Sequence, residues 1–284
     1  MSLIKQLVLN CDARLGTHLP LSHIAYTEEA ILKSGHGSYT REEWSQARRA
    51  GYNQAGPEAQ ELDSEVSFMR RALGTERRKL VTGLRLTDYL RNTGCRSVLE
   101  VGCGEMITAW AIKGALPDLR YCATDYDDFV IEKCRKLALL DSLEKSTLDI
   151  DAVTAAFLGE FQLIVAWDVF YAFDTDRLMR FLEKIRAARS SLMICSSQII
   201  GPFRGLSYLV KSRLYDYAAA CATGRLRDHG YKCSLGYYQQ VAGRLGLECR
   251  LIATPPLGPA SGDGYFFIRI SPAAPEISNP ASAS

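Results

Sequence analysis

At 284 residues with 47% hydrophobic side chains, the chain holds enough material for one large domain, or one domain with a small addition, around a full core. Its 34 basic and 32 acidic residues leave a formal charge of +2, a balance that argues against nucleic acid or an acidic membrane as the main partner. Nine cysteines, an odd number lying mostly among apolar neighbours with no C-x-x-C pair and no metal-ligand spacing, point to reduced thiols, a cytoplasmic setting and no metal site.

The opening stretch MSLIKQLVLNCD lacks a basic leader and a long apolar run, so it does not read as a signal peptide, and no run reaches the length of a membrane span. Up to residue 96 the text is helical in propensity and rich in charge, with a break at Gly56 and Pro57. It predicts a helical N-terminal cap over residues 1–96. From Ser97 onward, short β-branched or apolar runs alternate with amphipathic stretches, the pattern of an α/β domain on a mostly parallel sheet over residues 97–271. The predicted strands, in chain order, are SVLEVG from Ser97, RYCATD from Arg120, EKSTLDI from Glu144, FQLIVAWD from Phe161, SSLMICSSQ from Ser190, LECRLIAT from Leu247 and GYFFIRI from Gly264.

Between them, DDFVIEKCRKLALL places Val130, Cys134, Leu137 and Leu140 on one helical face, and DTDRLMRFLEKIRAA does the same with Leu178, Phe181, Leu182 and Ile185. Asp174 or Thr175 suits the cap of that second helix. An insert over residues 201–236 precedes a further helix, YYQQVAGRLG. The last two strands are joined by PPLGPASGDG, too short for a helical crossover, so they are expected to pair as an antiparallel hairpin at the sheet edge. Residues 272–284, rich in Pro, Ala and Ser, read as a disordered tail.

The chemistry gathers at VLEVGCGEM, residues 98–106. Gly102 and Gly104, directly after a strand, let the backbone turn sharply and approach a ligand closely. A dinucleotide fingerprint would place glycine at position 107, which is Ile107, and has no use for the carboxylate of Glu100 ahead of the first glycine. A buried acid needs a positive partner. S-adenosylmethionine, with an ammonium and no pyrophosphate, suits a carboxylate at that strand end.

Here the sequence resembles the class I S-adenosylmethionine-dependent methyltransferases, whose first motif, (D/E)-x-G-x-G-x-G, is matched by Glu100, Gly102 and Gly104, with Met106 in place of the third glycine. The resemblance covers Ser97 to Ile270 and implies a seven-stranded, mostly parallel Rossmann-like sheet. Asp125, ending the next strand about twenty residues after the glycines, has the spacing of an acid that accepts hydrogen bonds from ribose hydroxyls, with Tyr126 beside it. In the family, an acid near the end of the third strand meets the adenine amino group. Asp149 or Asp151 falls there, Asp149 being preferred, with Ile150 beside the ring. In the family the fourth strand ends at the cofactor, where Asp168 is a candidate contact, and runs into a loop that faces the substrate, here holding Asp168, Val169 and Tyr171. Many relatives carry a histidine one place after the aromatic, where this chain has Ala172.

The reading is therefore a methyltransferase using S-adenosylmethionine on a small-molecule or glycan-precursor acceptor, with oxygen favoured over nitrogen. Asp168, Tyr171 and His229, in RLRDHGYKC, are the candidate catalytic residues. Arg204, Lys211, Arg213, Arg225, Arg227 and Lys232, interleaved with tyrosines, make the insert a candidate lid over an anionic or sugar-bearing acceptor. Two other classes stay open: a protein of this fold that binds the cofactor without transferring methyl groups, and a nicotinamide-dependent oxidoreductase.

Overall fold

Seven strands form one sheet in the computed structural model, which describes residues 64–74, 76–170, 173, 175–196, 233, 235–253 and 265–273. Two helices, α1 (Glu65–Leu73) and α2 (Arg77–Thr93), lead into β1 (Ser97–Val101), α3 (Ile107–Ala115), β2 (Arg120–Asp125) and α4 (Asp128–Arg135). There follow β3 (Glu144–Thr147), α5 (Ala155–Leu158), β4 (Leu163–Trp167), α6 (Thr175–Ala188), β5 (Ser191–Ser196), α7 (Leu235–Arg244), β6 (Leu247–Ala253) and β7 (Phe266–Pro272). The strand order is 3-2-1-4-5-7-6, with β7 antiparallel to both β5 and β6, as the short final connection requires.

Side chains alternate across each strand, so the sheet feeds two cores. On one face Val98, Tyr121, Val165, Met193 and Phe267 meet Phe68 of α1, Leu86 and Leu90 of α2, Ile112 of α3 and Ile131 of α4. On the other, Leu99, Ile164, Ile194 and Ile268 meet Leu158 of α5, Phe181 and Ile185 of α6, and Val241 of α7. The central strands are covered on both sides, which is why β4 reads LIVAW with every residue buried. Helices α1 and α2 thus belong to the same layer as α3 and α4. Gly94 ends α2 in a left-handed conformation and donates its N–H back to the Arg91 carbonyl.

Several boundaries differ from the sequence expectation. The helix from Asp128 stops at Arg135, and Leu137 and Leu140 reach the core through a separate 3-10 turn at Ala138–Leu140. Strand β3 ends at Thr147, opposite Asp125, the last residue of β2, whose carbonyl still accepts the Leu148 N–H at 2.9 Å. Strand β7 runs on to Pro272, which pairs with Leu247. Residues 1–63 of the expected cap, residues 201–232 of the expected insert, and residues 274–284 lie outside the described residues, as do Tyr171 and His229; the insert's last two residues, Leu235 and Gly236, already belong to α7.

The burial of α2 yields a check on this layering. Leu90→Ala, at a fully buried site, is expected to lower stability by roughly 2 to 5 kcal/mol. Leu84→Ala, on the exposed face of the same helix, should stay within about 0.5 kcal/mol of the parent in urea unfolding.

Candidate active site

The direction of the crossovers reverses between β1 and β4, and the C-terminal ends of these neighbours open the crevice where open α/β sheets take ligands. Gly102 leaves β1 with φ +73° and Gly104 follows with φ +53°. Both values lie in the left-handed region that costs side-chain-bearing residues on the order of 1 kcal/mol or more. A Cβ on Gly102 would lie 2.5 Å from Cγ2 of Val169, in the loop after β4, so this glycine is required by protein packing. At Gly104 a Cβ would have no atom within 4 Å, and the space in front of it is open. Met106, where the methyltransferase motif has its third glycine, also adopts a positive φ of 61° and is fully buried as the N-cap of α3.

The glycine loop is tied to the end of β2. Cys103 donates its N–H to the Thr124 carbonyl at 2.9 Å, and the Thr124 hydroxyl donates to the Glu100 carbonyl at 2.7 Å. Asp125, only 5% exposed, accepts the Gly104 N–H on one carboxylate oxygen at 2.9 Å and the Asp127 N–H on the other at 3.0 Å. A further tie was missed from the sequence. Glu105, buried, accepts two hydrogen bonds from Arg71 of α1, at 2.9 and 2.5 Å, so the loop is anchored from the helix layer as well. No pattern in one sequence links positions 34 residues apart in this way.

Glu100 points into the layer between the sheet and α2 and is 1% exposed. The Tyr121 hydroxyl donates to Oε2 at 3.1 Å, while Oε1 has no hydrogen-bond partner among the described residues. Burial pushes this carboxyl from 4.5 up to about 8; the Tyr121 hydrogen bond and the charge of Lys79 offset part of that rise, and Asp125 adds to it. Tyr121 is itself held well above the ordinary phenol range by burial and by Glu100.

On the other side of the crevice, Asp168 ends β4 with φ 45°, a strained backbone for a residue with a side chain. Its Oδ1 accepts the Ser196 hydroxyl at 3.1 Å, and its N–H donates to the Cys195 carbonyl at 2.9 Å. The hydroxyl of Tyr265, just ahead of β7, is hydrogen-bonded to the same carboxylate, which together with burial raises its pKa. Trp167 stands edge-on to Tyr265 and Phe267 at 5.7 and 6.2 Å. The third-strand acids separate. Asp149 accepts the Asp151 N–H at 2.9 Å in a local turn, while the Asp151 carboxylate is paired with Arg177 at 2.7 Å. Ile150 is buried and Tyr126 half-buried.

No family model matches the chain, and no curated protein matches it in sequence. Solved structures match in fold. The mitomycin 7-O-methyltransferase MmcR is 16% identical with a TM-score of 0.50, over 94% of this chain and 83% of that one. Human N-acetylserotonin methyltransferase, solved with SAM, is 13% identical with a TM-score of 0.52, over 87% of this chain and 65% of the human one. The plantazolicin methyltransferase BpumL, solved with a pentazolic desmethylPZN analog and SAH, is 12% identical with a TM-score of 0.50, over 87% and 99% of the two chains. The chain has the class I methyltransferase fold. Within that fold, Gly102, Gly104, Asp125 and Asp168 sit at the C-terminal ends of β1, β2 and β4, facing the switch point. Among the described residues no group of acids, histidines and cysteines has metal-site geometry, and no helix is long and apolar enough to cross a membrane.

Two measurements test this geometry. Gly102→Ala is expected to cost roughly 2 to 4 kcal/mol of stability from backbone strain and the clash with Val169. Adding Val169→Ala should recover only the part due to the clash. The second follows from Glu100. Its carboxyl keeps a proton in the folded state that the unfolded chain loses above 4.5, so folding stability falls as pH rises from 4.5 through about 8. The melting temperature of the parent should therefore drop relative to that of Glu100→Gln between those two pH values, and parallel curves would contradict it.

Proposed function

We propose that the chain is an S-adenosylmethionine-dependent methyltransferase that acts on a small-molecule or glycan-precursor acceptor by transfer to oxygen. The observation that carries the reading is the bare, fully buried Oε1 of Glu100 at the end of β1, beside a glycine loop with open space in front of Gly104. A cation beside that acid would favour its ionised form, which a pyrophosphate would oppose. A dinucleotide is further disfavoured at the loop's far end, where buried Met106 and Ile107 fill the position a third glycine would leave open.

In this reading Glu100 faces the cofactor's ammonium end across the loop. Asp125, with Tyr126, accepts from ribose hydroxyls while its backbone bonds hold the loop in shape. Asp149 and Ile150 border the adenine, and the pairing of Asp151 with Arg177 favours Asp149 for that role. When bound, the cofactor supplies a methyl group already activated by its sulfonium. The protein's work is then to position the acceptor and exclude water. Asp168 is the acceptor-side group. Its carboxylate is oriented by Ser196 and Tyr265 and accepts a hydrogen bond, or the proton, from an attacking hydroxyl. The fold neighbours MmcR and BpumL, named as a mitomycin 7-O-methyltransferase and a plantazolicin methyltransferase, support transfer to a small organic acceptor.

Binding of S-adenosylhomocysteine should raise the melting temperature, by a stabilisation of about 2.7 kcal/mol at a hundred times its Kd, whereas NAD should not. Asp125→Asn keeps the size of the side chain and removes its charge. Calorimetry should find S-adenosylhomocysteine bound roughly 10- to 100-fold more weakly by the folded variant. Unchanged affinity would remove Asp125 from the site. Transfer of a labelled methyl group from S-adenosylmethionine across a panel of phenolic, sugar and thiazole-peptide acceptors then identifies the substrate.

A further inference from the structure

The buried acid of β1 stands in an unusual electrostatic position. Ion-paired acids elsewhere in the structure meet a guanidinium or an ammonium, as Glu105 does Arg71 and Glu76 does Lys79. Among the described residues, Glu100 has only the Tyr121 hydroxyl from β2 as a hydrogen-bond partner. The charged and titratable groups around it are few. Lys79 of α2 acts on it from a distance while paired with Glu76 at 3.1 Å. Asp125 of β2 acts in the opposite sense. Cys195 of β5 feels its charge, and Cys103 of the glycine loop adds to the same cluster through Tyr121. Arg85, further along α2, faces Cys195 and lies over the Phe267 ring at 5.0 Å.

On the cofactor reading given above, we infer that Glu100 is a proton-exchanging residue of the site: it carries a proton until the cofactor's ammonium arrives and then gives that proton to solvent, so that cofactor uptake is coupled to proton release. The geometry requires this. A carboxylate with one oxygen unbonded and no ion-pair partner among the described residues is costly to bury, whereas its acid form leaves a neutral group on that oxygen. With its carboxyl pushed up to about 8, Glu100 is mostly protonated at neutral pH. A cation held at the adjoining loop reverses the balance, since an opposite charge nearby favours the ionised acid. By linkage, whatever makes the cofactor's arrival expel the proton also makes removal of the proton tighten binding. The affinity must then rise with pH until Glu100 is ionised in the ligand-free protein as well.

The experiment is titration calorimetry on the full chain at pH 6, 7 and 8, each in two buffers of different ionisation enthalpy. Two probes are compared. S-adenosylhomocysteine keeps the ammonium, which stays charged over this range, and 5′-methylthioadenosine shares the adenosine thioether but lacks the amino-acid end. The affinity for S-adenosylhomocysteine should rise by up to about tenfold per pH unit and level off near 8, with buffer-dependent heats corresponding to the release of close to one proton at pH 6 to 7. The affinity for 5′-methylthioadenosine should stay flat with no buffer dependence, and Glu100→Gln should flatten the profile for S-adenosylhomocysteine. Equal affinity for S-adenosylhomocysteine at all three pH values, or the same proton released by 5′-methylthioadenosine, overturns the inference while leaving the cofactor reading intact. A lack of S-adenosylhomocysteine binding at every pH overturns the cofactor reading itself.

Discussion

A parallel strand flanked on both sides, and covered by helices on both faces, has no water in reach of its side chains. Strand β1 lies between β2 and β4, and every residue of it from Val98 to Val101 is buried. An acid placed in it is therefore desolvated whatever the surrounding sequence does, and Glu100 is the one charged residue of that strand. What surrounds Glu100 can be understood as an answer to this constraint. Tyr121 comes from the adjacent strand to offer a hydroxyl, and Lys79 lends charge from α2. These two only partly offset the burial, and the carboxyl stays well above its ordinary range.

The crevice is rimmed by backbone strain. Gly102, Gly104 and Met106 on the β1 side and Asp168 on the β4 side all have positive φ. Strained residues persist only where their surroundings over-determine them. The bonds that do so here are visible: Asp125 and Thr124 from β2, Arg71 from α1 through Glu105, and the Cys195 carbonyl and Ser196 hydroxyl from β5. The rim is thus held from three elements, β2, α1 and β5, which together fix its shape.

Much of this was legible in the sequence, for physical reasons. The seven strands announced themselves as short apolar or β-branched runs, and the final antiparallel pair followed from a connection too short to cross over. Helix α3 gave no such signal. ITAWAIKGA is buried on most sides, with Ile107, Thr108, Ala109, Ala111 and Ile112 all inside, so it shows no polar stripe against which to read a period. Gly102 also makes room for Val169, a packing need that the sequence did not reveal, while the space in front of Gly104 is open. The contributions of Glu105, Ser196 and Tyr265 were hidden because each depends on a partner far away in the chain.

The antiparallel entry of β7 has a consequence for how such a molecule diversifies. A strand running against its neighbours begins at the rim where they end, and Phe266 pairs with Ser196 at that edge. Tyr265 therefore reaches Asp168 from the last strand of the fold, while the glycine loop and Asp125 belong to the first two. The two halves of the crevice are written in widely separated stretches of the sequence. One stretch can vary while the other stays constant, and neither has to be rebuilt when the other changes.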